Sequence, residues 1–387
     1  MMRYLTSLIV LIPLLASPGA LGSPAAADYT PSSRHRPAAR CGAMDTSKLV
    51  PDDGRVRHCS ATVRGRTYKY VVSQPAARRP IDTIFLIHGF PDLGFGWRYQ
   101  VPYLTSLGFR VVVPDMLGYA ATDSPRDLGP FSLKSLSDDI KELAADIVGD
   151  GQIILGGHDW GGALVWRVAL WHPGLLKAVF SICTPFGPPR KDYVSLEDAI
   201  AAGQLTNFRY QLQFKGPDVE KAIQGETKIR QFLSALHGGL SSDGNKTEAG
   251  FTTDRGVIFE NLPKIQKPKS MSDQELDFYV QQYMIHDAPQ LRGPLNWYRT
   301  AKIDWEEELP LASKNTTLAM PTMFIAATKD AALPPSMSFG MERYMPRLTR
   351  GEVDSSHWAL TEASHDINKQ LGAWLSGLVN ETVKSFM

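Results

Sequence analysis

The motif with the clearest chemical meaning spans residues 157–162 and reads GHDWGG. It follows an apolar run over 152–155 and precedes an apolar, helix-like run over 163–168. This context is typical of a nucleophile elbow, in which small flanking residues permit a tight strand-to-helix turn that pushes the central residue outward in a strained conformation. The central residue here is Asp159, where an esterase carries Ser. We therefore predict that Asp159 is a carboxylate nucleophile.

An Asp at this position restricts the reaction class. A carboxylate that attacks an acyl group forms a labile anhydride, whereas attack on a saturated carbon that bears a leaving group forms an alkyl ester. Epoxides and haloalkanes are the natural electrophiles for such an attack. The alternative is a purely structural Asp159, either as a helix N-cap or in an inactive hydrolase fold.

A general base and its orienting acid are expected late in the chain. His357 lies after a predicted strand over 348–353 and before a helix that begins near Leu360. Asp330 follows the preceding predicted strand, over 322–326. Nucleophile, acid and base then occur in the chain order expected of an α/β-hydrolase plan.

The oxyanion-hole donors are predicted beside the nucleophile and after another strand. Residues 88–91 read HGFP and close the apolar run over 81–87. Phe90 can donate its backbone N–H, and Pro91 has none to donate. The backbone N–H of Trp160 is the expected second donor. We expect His88 to be structural.

The surrounding elements predict an α/β fold. Short apolar runs bounded by Gly, Pro or Asp alternate with helical stretches, which is typical of a parallel sheet buried on both faces with active-site loops at the carboxyl ends of its strands. Two alternating segments before these runs predict a β-hairpin. The predicted hairpin strands are 57–63 and 67–73, and the predicted core strands are 81–87, 110–113, 152–155, 177–182, 322–326 and 348–353.

The strand pattern stops between Pro185 and about Trp305, where helical patterns and aromatic residues prevail. We interpret this segment as a helical cap inserted into the core, with the ligand between cap and sheet. The expected segments are a signal peptide over 1–22, a leader over 23–55, the first core part over 56–188, the cap over 189–305 and the second core part over 306–387.

Composition points to a small, uncharged partner. The chain has 387 residues, of which 43% are hydrophobic and 21% charged, and a formal net charge of +1. These values are typical of a globular enzyme, and a net charge so close to zero gives no sign of nucleic-acid binding. We expect no cofactor and no metal.

The N-terminus predicts export. Arg3 precedes an apolar run over 4–16 and small residues over 20–23, the pattern of a secretory signal peptide. The run is short for a bilayer span, so we expect a secreted protein, with an uncleaved membrane anchor in the secretory pathway as the alternative. No stable membrane span is expected.

Export would make two further sequence features relevant. In an oxidising compartment, Cys41 and Cys59 are candidates for a disulfide, which leaves Cys183 as the odd, buried thiol. Asn245, Asn315 and Asn380 each begin a glycosylation acceptor triplet.

The nature of the electrophile depends on the cap. Epoxide opening leaves a basic alkoxide, so a proton donor is needed opposite the nucleophile, and Tyr is well matched to that task. Tyr210 and Tyr298 stand out by their context in the predicted cap, but the residues alone do not select them from thirteen tyrosines.

The chain resembles the soluble epoxide hydrolases of the α/β-hydrolase superfamily, from about Val56 to about Leu378. The motifs that carry the resemblance are 88–91 (HGFP), 115–119 (DMLGY), 157–162 (GHDWGG), 208–211 (FRYQ) and 293–299 (GPLNWYR).

The resemblance implies an α/β-hydrolase fold, with a mostly parallel central sheet, helices on both faces and an inserted helical cap. It also implies conversion of an epoxide and water to a vicinal diol through an ester on Asp159. Tyr210 and Tyr298 would donate protons to the epoxide oxygen, and Asp330 and His357 would form the charge relay.

Two departures from the family pattern are expected to alter loop shape and substrate fit. Residues 120–123 (AATD) replace the usual second glycine, and Ser356 stands where a glycine commonly precedes the catalytic histidine.

Two other functions stay open. A haloalkane or haloacetate dehalogenase shares the elbow and the ester but needs halide stabilisers, a role that Trp160 would fit, and it would release halide. A non-catalytic hydrolase-fold binding protein would form no ester in a single turnover.

If the signal peptide is cleaved as expected, mature protein from a secretory host begins between about Ser23 and Asp28. N-terminal sequencing of the secreted protein measures this position. An intact Met1 on secreted material would contradict the prediction.

Overall fold

The computed structural model describes residues 44–77, 79–241, 249–314 and 316–385. The predicted signal peptide, Cys41, Asn245 and Asn315 lie outside the described residues. Cys183 is buried as predicted, and Asn380 is exposed near the end of the last helix.

The central sheet has eight strands in the order β1-β2-β4-β3-β5-β6-β9-β10. The strands from β4 to β10 in this order pair in parallel, whereas β1, β2 and β4 pair antiparallel, so the predicted hairpin forms one edge of the same sheet. This mostly parallel sheet confirms the predicted fold class. The strands are β1 (Arg57–Val63), β2 (Arg66–Ser73), β3 (Thr83–Ile87), β4 (Arg110–Asp115), β5 (Ile153–His158), β6 (Leu176–Ile182), β9 (Thr322–Ala327) and β10 (Leu348–Val353).

Helices cover both faces of the sheet because its central strands are buried throughout. In β3 every residue is buried; Phe85 and Ile87 belong to one apolar cluster and Ile84 and Leu86 to the other. The core helices are α1 (Gln100–Ser106), α2 (Leu133–Val148), α3 (Trp160–Trp171), α11 (Ala359–Glu362) and α12 (Ser364–Ser385). The first cluster includes residues of α2 and α3, and the second includes residues of α1 and α12.

The segment between β6 and β9 is mainly helical and adds one two-stranded sheet. Its last helix runs across residue 305, the predicted end of the cap, and the assignment of the domain boundaries stays a prediction. The elements are α4 (Leu196–Ala201), α5 (Arg209–Lys215), α6 (Asp218–Ala222), α7 (Glu226–Leu236), β7 (Phe251–Thr252), β8 (Gly256–Val257), α8 (Asp273–Tyr283), α9 (Arg292–Asn296) and α10 (Ala301–Ala312). We call this segment the cap.

Four parallel strands bring the predicted site residues to one edge of the sheet. Phe90 follows β3, Asp159 follows β5, Asp330 follows β9 and His357 follows β10. Because the carboxyl ends of parallel strands share an edge, residues almost 270 positions apart in the chain become neighbours.

Glycines at the elbow permit a very close approach between α3 and the strands. A Cβ at Gly161 would overlap the backbone carbonyl oxygens of Ile87 and His88, and a Cβ at Gly157 would overlap the backbone of Gly161. These atoms are backbone and cannot rotate away. The small residues that the sequence places here are therefore required by packing.

Gly161→Ala is expected to lower the free energy of unfolding by about 1–3 kcal/mol, because the added methyl group must displace the end of β3. Urea unfolding measures this change. Gly174→Ala is the matched control, since a Cβ at Gly174 meets no atom within 4 Å. Equal unfolding midpoints for the two variants would contradict the packing argument.

Candidate active site

Asp159 projects from a strained turn between β5 and α3. Its backbone has φ 53° and ψ −123°, a conformation that is uncommon for a residue with a side chain. The backbone carbonyl of Asp159 accepts hydrogen bonds from the Thr184 hydroxyl at 2.7 Å and from the Ala163 N–H at 3.0 Å. The turn is thus held by its neighbours, and the carboxylate points away from α3, toward Phe90 and His357.

His357 lies between two carboxylates. Its Nδ1 is 2.7 Å from Asp330 Oδ2, and its Nε2 is 3.4 Å from Asp159 Oδ2. Asp330 Oδ1 in turn accepts the backbone N–H groups of Ala332 and Leu333, both at 2.9 Å. These bonds fix Asp330, which fixes the imidazole ring with Nε2 toward Asp159.

The charges of the three groups shift one another's pKa. Burial alone lowers the pKa of His357, but the charge of Asp330 and the hydrogen bonds to both carboxylates outweigh it and raise that pKa well above its usual value. Burial alone raises the pKa of Asp330 and Asp159, yet His357 lowers both, that of Asp330 to about 2. The resting site therefore holds an imidazolium between two carboxylates.

The two predicted oxyanion-hole donors are the backbone N–H groups of Phe90, which follows β3, and of Trp160, which begins α3. The Phe90 N–H donates to Asp159 Oδ1 at 2.7 Å. Trp160 is the first residue of α3, so its N–H has no acceptor within the helix. The bond from Phe90 is what an oxyanion hole at Oδ1 requires, and the assignment of both donors stays a prediction.

Tyr210 and Tyr298 come together above the nucleophile. Both are 7% exposed, and their ring centroids are 6.3 Å apart. Burial raises the pKa of both phenols above the usual value. The charge of Asp159 adds to this rise for Tyr210, and Tyr210 and then Asp159 add to it for Tyr298. Both hydroxyls are consequently protonated and able to donate. Both line the cavity at Asp159, a proximity that the sequence alone does not show, and their role as donors stays a prediction.

Two cavities reach the nucleophile, with volumes of about 200 Å³ and 230 Å³. Both are lined by Asp159 and Tyr210. The first also contacts His357 and Trp358, and the second contacts Met337. Most of the other lining side chains are apolar, so the site suits a ligand that carries little charge.

Sequence reasoning missed a layer of supporting residues. His158, adjacent to the nucleophile, donates its Nε2–H to the backbone carbonyl of His357 at 2.8 Å, and burial, followed by the charge of His357, lowers its pKa to about 4. Thr184 was also missed. The sequence does offer a sign for each of them. His158 directly precedes the nucleophile position of the elbow, and Thr184 follows the carboxyl end of β6.

His88 has the structural role that the sequence predicts. Burial lowers its pKa to about 4, so the ring is neutral. Its Nδ1 contacts the Gly89 carbonyl at 2.9 Å, and its Nε2 accepts the Met116 N–H at 2.9 Å. Both ring nitrogens thus hold the backbone.

One group of possible metal ligands lies in the described part of the chain. Atoms of His158, Cys183 and His357 lie within 4.8 Å of one another. The two histidines are engaged in the bonds above, and burial raises the pKa of the Cys183 thiol well above its usual value, which disfavours the thiolate that a metal binds. These residues therefore support the His357 loop and do not suit a metal ion.

Comparison with known proteins agrees with this geometry. A family model described as alpha/beta hydrolase fold matches residues 82–364. The chain is similar to epoxide hydrolase srdG of Neurospora crassa, with 40% identity over 86% of this chain and 99% of that protein. It is also similar to bifunctional epoxide hydrolase 2 of Rattus norvegicus, with 34% identity over 80% of this chain and 55% of that protein.

A solved structure shows the same fold. Epoxide hydrolase A from Mycobacterium thermoresistibile superposes with a TM-score of 0.70 and 27% identity, over 83% of this chain and 98% of that one. The elbow, the triad geometry and these similarities together show that the chain belongs to the α/β-hydrolase family and, within it, to the epoxide hydrolases.

Proposed function

We propose that the protein converts an epoxide and water to a vicinal diol through an alkyl ester on Asp159. The observation that carries the proposal is that Asp159 lines one cavity together with two buried phenols and with a His357 that Asp330 orients. A site with these groups can both open an epoxide and hydrolyse the resulting ester.

In the first step, Asp159 Oδ2 attacks an epoxide carbon and the C–O bond to that carbon breaks. The electron pair moves to the epoxide oxygen, which takes a proton from Tyr210 or Tyr298. Because negative charge grows on that oxygen, hydrogen bonds from the phenols strengthen in the transition state and lower the barrier. Asp159 is ionised at neutral pH, because the bonds and charge of His357 keep its pKa low.

In the second step, His357 first becomes neutral, because its proton replaces the one that the phenol gave to the epoxide oxygen. The neutral imidazole then takes a proton from a water molecule that attacks Cγ of the ester. The bond between Cγ and Oδ2 breaks, and the leaving alkoxide takes that proton from His357, which releases the diol. The remaining water proton passes from the Asp159 carboxyl to His357 and restores the resting ion pair.

The formation of the ester removes the charge of Asp159, which is one of the two carboxylates that hold the proton on His357. The pKa of His357 therefore falls when the ester forms, which favours the neutral base. The carbonyl oxygen of the ester, Oδ1, gains negative charge during the attack. The Phe90 N–H, which donates to Oδ1 in the resting site, stabilises that charge.

Replacement of His357 by Gln is expected to leave alkylation intact and block hydrolysis, because no base remains to activate water. A covalent adduct then accumulates on Asp159 and adds the mass of the epoxide. Intact-protein and peptide mass spectrometry measure it, with Asp159→Ala as the control that forms no adduct and no diol while it keeps the fold. A His357→Gln variant without adduct, where the wild type turns over, would disprove the assignment of His357.

Tyr210→Phe and Tyr298→Phe each keep the ring and delete one hydroxyl. The alkylation rate is expected to fall by about ten- to a thousandfold for each, or roughly 1.4–4 kcal/mol, and the double variant is expected to be nearly inactive. Hydrolysis of a preformed ester changes little, because the phenols act while the epoxide oxygen gains charge. Rapid-quench measurement of ester formation separates the two steps.

The same pair of variants tests the dehalogenase alternative. If the double Phe variant alkylates Asp159 at the wild-type rate, the phenols are packing residues, and release of halide from haloalkanes becomes the assay of choice. Production of diol by the wild type without halide release supports the epoxide.

We also propose that the protein is exported, on the strength of the N-terminal signal pattern over 1–22. Glycosylation, at Asn380 for example, and a Cys41–Cys59 disulfide would follow from export. Within the described ranges, the structure contains no helix that is both long and apolar enough to cross a bilayer.

A further inference from the structure

One face of the cap helix α8 meets the turn that carries Phe90. Glu275, Tyr279 and Tyr283 lie four residues apart, so they stand one above another on the same face of the helix. Their exposed fractions are 2%, 1% and 3%. This face is thus almost completely buried although each of its three side chains ends in a polar group.

Each of these polar groups has a partner in the segment 91–98. The Tyr279 hydroxyl donates to Asp92 Oδ1 at 2.5 Å, and the Tyr283 hydroxyl donates to the Pro91 carbonyl at 2.8 Å. At the start of the helix, Arg98 Nε donates to Glu275 Oε1 at 2.8 Å. The bonds from the two tyrosines reach the two residues that directly follow Phe90.

The bonds inside the turn over 89–92 hold the Gly89 carbonyl, which belongs to the same peptide unit as the Phe90 N–H. The Asp92 N–H donates to this carbonyl at 3.1 Å and His88 Nδ1 contacts it at 2.9 Å, whereas Pro91 has no N–H to contribute. The Phe90 N–H is directed away from the turn, to Asp159 Oδ1 at 2.7 Å. The direction of that N–H therefore depends in part on Asp92, whose own N–H holds the Gly89 carbonyl, and on Pro91, which directly follows Phe90.

Packing alone does not explain two hydroxyls at these positions. A Phe at 279 or 283 would fill the same space but would leave a buried acceptor, the Asp92 carboxylate or the Pro91 carbonyl, without its donor. A hydrogen bond is also directional, and inside a protein it restrains its partner more strongly than an apolar contact does. The hydroxyls thus fix where Pro91 and Asp92 lie.

We propose that Tyr279 and Tyr283 are positioning residues that hold the Phe90 N–H in line with Asp159 Oδ1 and so set the rate of ester hydrolysis. This inference rests on the proposed function. In alkylation the Asp159 carboxylate loses charge, so a displaced Phe90 N–H costs little. In hydrolysis Oδ1 gains a full charge, so the same displacement raises the barrier.

The test uses Tyr279→Phe and Tyr283→Phe in the full-length protein with a chromogenic aryl epoxide. Each is expected to lower the hydrolysis rate by about ten- to a hundredfold, because a misplaced donor costs less than a deleted one. The alkylation rate is expected to change little, so the ester accumulates on Asp159 during turnover. Rapid-quench kinetics and mass spectrometry of the quenched protein report both quantities.

Tyr68→Phe is the matched control. Tyr68 is 1% exposed in β2, and its hydroxyl donates to the buried Asp139 Oδ2 at 2.7 Å. The variant therefore loses the same type of buried bond in a strand that β4 separates from β3. It is expected to lose stability without ester accumulation. A purely structural contribution of Tyr279 and Tyr283 would produce this same result.

The positioning role is overturned if neither α8 variant accumulates more ester than Tyr68→Phe while His357→Gln does. If His357→Gln forms no ester either, the proposed function itself fails. Should Tyr279→Phe not fold, Tyr283→Phe decides, because its partner is a backbone carbonyl and no buried carboxylate is left unpaired.

Discussion

The backbone at Asp159 has φ 53°, and the geometry of the whole site depends on how that conformation is held. A strained conformation of this kind costs about 1–3 kcal/mol and persists only where the surroundings determine it. Here the Asp159 carbonyl accepts hydrogen bonds from the Thr184 hydroxyl and from the Ala163 N–H of α3. Gly157 and Gly161 allow the turn to pack directly against β3. As a result, the Asp159 carboxylate faces both Phe90 after β3 and His357 after β10.

The electrostatics follow from this placement. A buried carboxylate is costly unless it is paired, and two of them share the single imidazole of His357. Asp330 is further bonded by two backbone N–H groups, which makes it a fixed acceptor, whereas Asp159 is bonded by one N–H at the oxygen that does not face His357. The two acids therefore have different surroundings, which suit Asp330 to orienting the base and Asp159 to the reaction proposed for it.

The cap contributes more than a cover for the pocket. It supplies the two phenols, and it also bonds to the loops that carry the reacting groups of the core. Trp358, next to His357, donates its Nε1–H to the Leu236 carbonyl at the end of α7 and stacks on His237 with ring centroids 4.0 Å apart. With the bonds of α8 to the turn after β3, two cap helices restrain two core loops. The core and the cap therefore form one site, because each carries groups that the other orients.

The sequence by itself determined the fold class, and its motifs predicted most of the groups that are proposed to react. The strand runs, the GHDWGG turn and the order of Asp159, Asp330 and His357 are local patterns, since strand burial and tight turns depend on residues that are close in the chain. Strand ends were less well determined: β3 begins at Thr83 rather than Ile81, and β5 extends to His158, because hydrogen bonds to neighbouring strands set those limits.

Tertiary structure decided the rest. Three features of the site are contacts between residues that are distant in sequence or that depend on the direction of a turn. They are the position of Tyr210 and Tyr298 at the cavity of Asp159, the support of His357 by His158, and the bonds from α8 to the turn of Phe90. Tyrosines also fill cores for their apolar area alone, so their type and spacing carry no sign of where their hydroxyls point. Only the packing of the cap on the sheet fixes that direction.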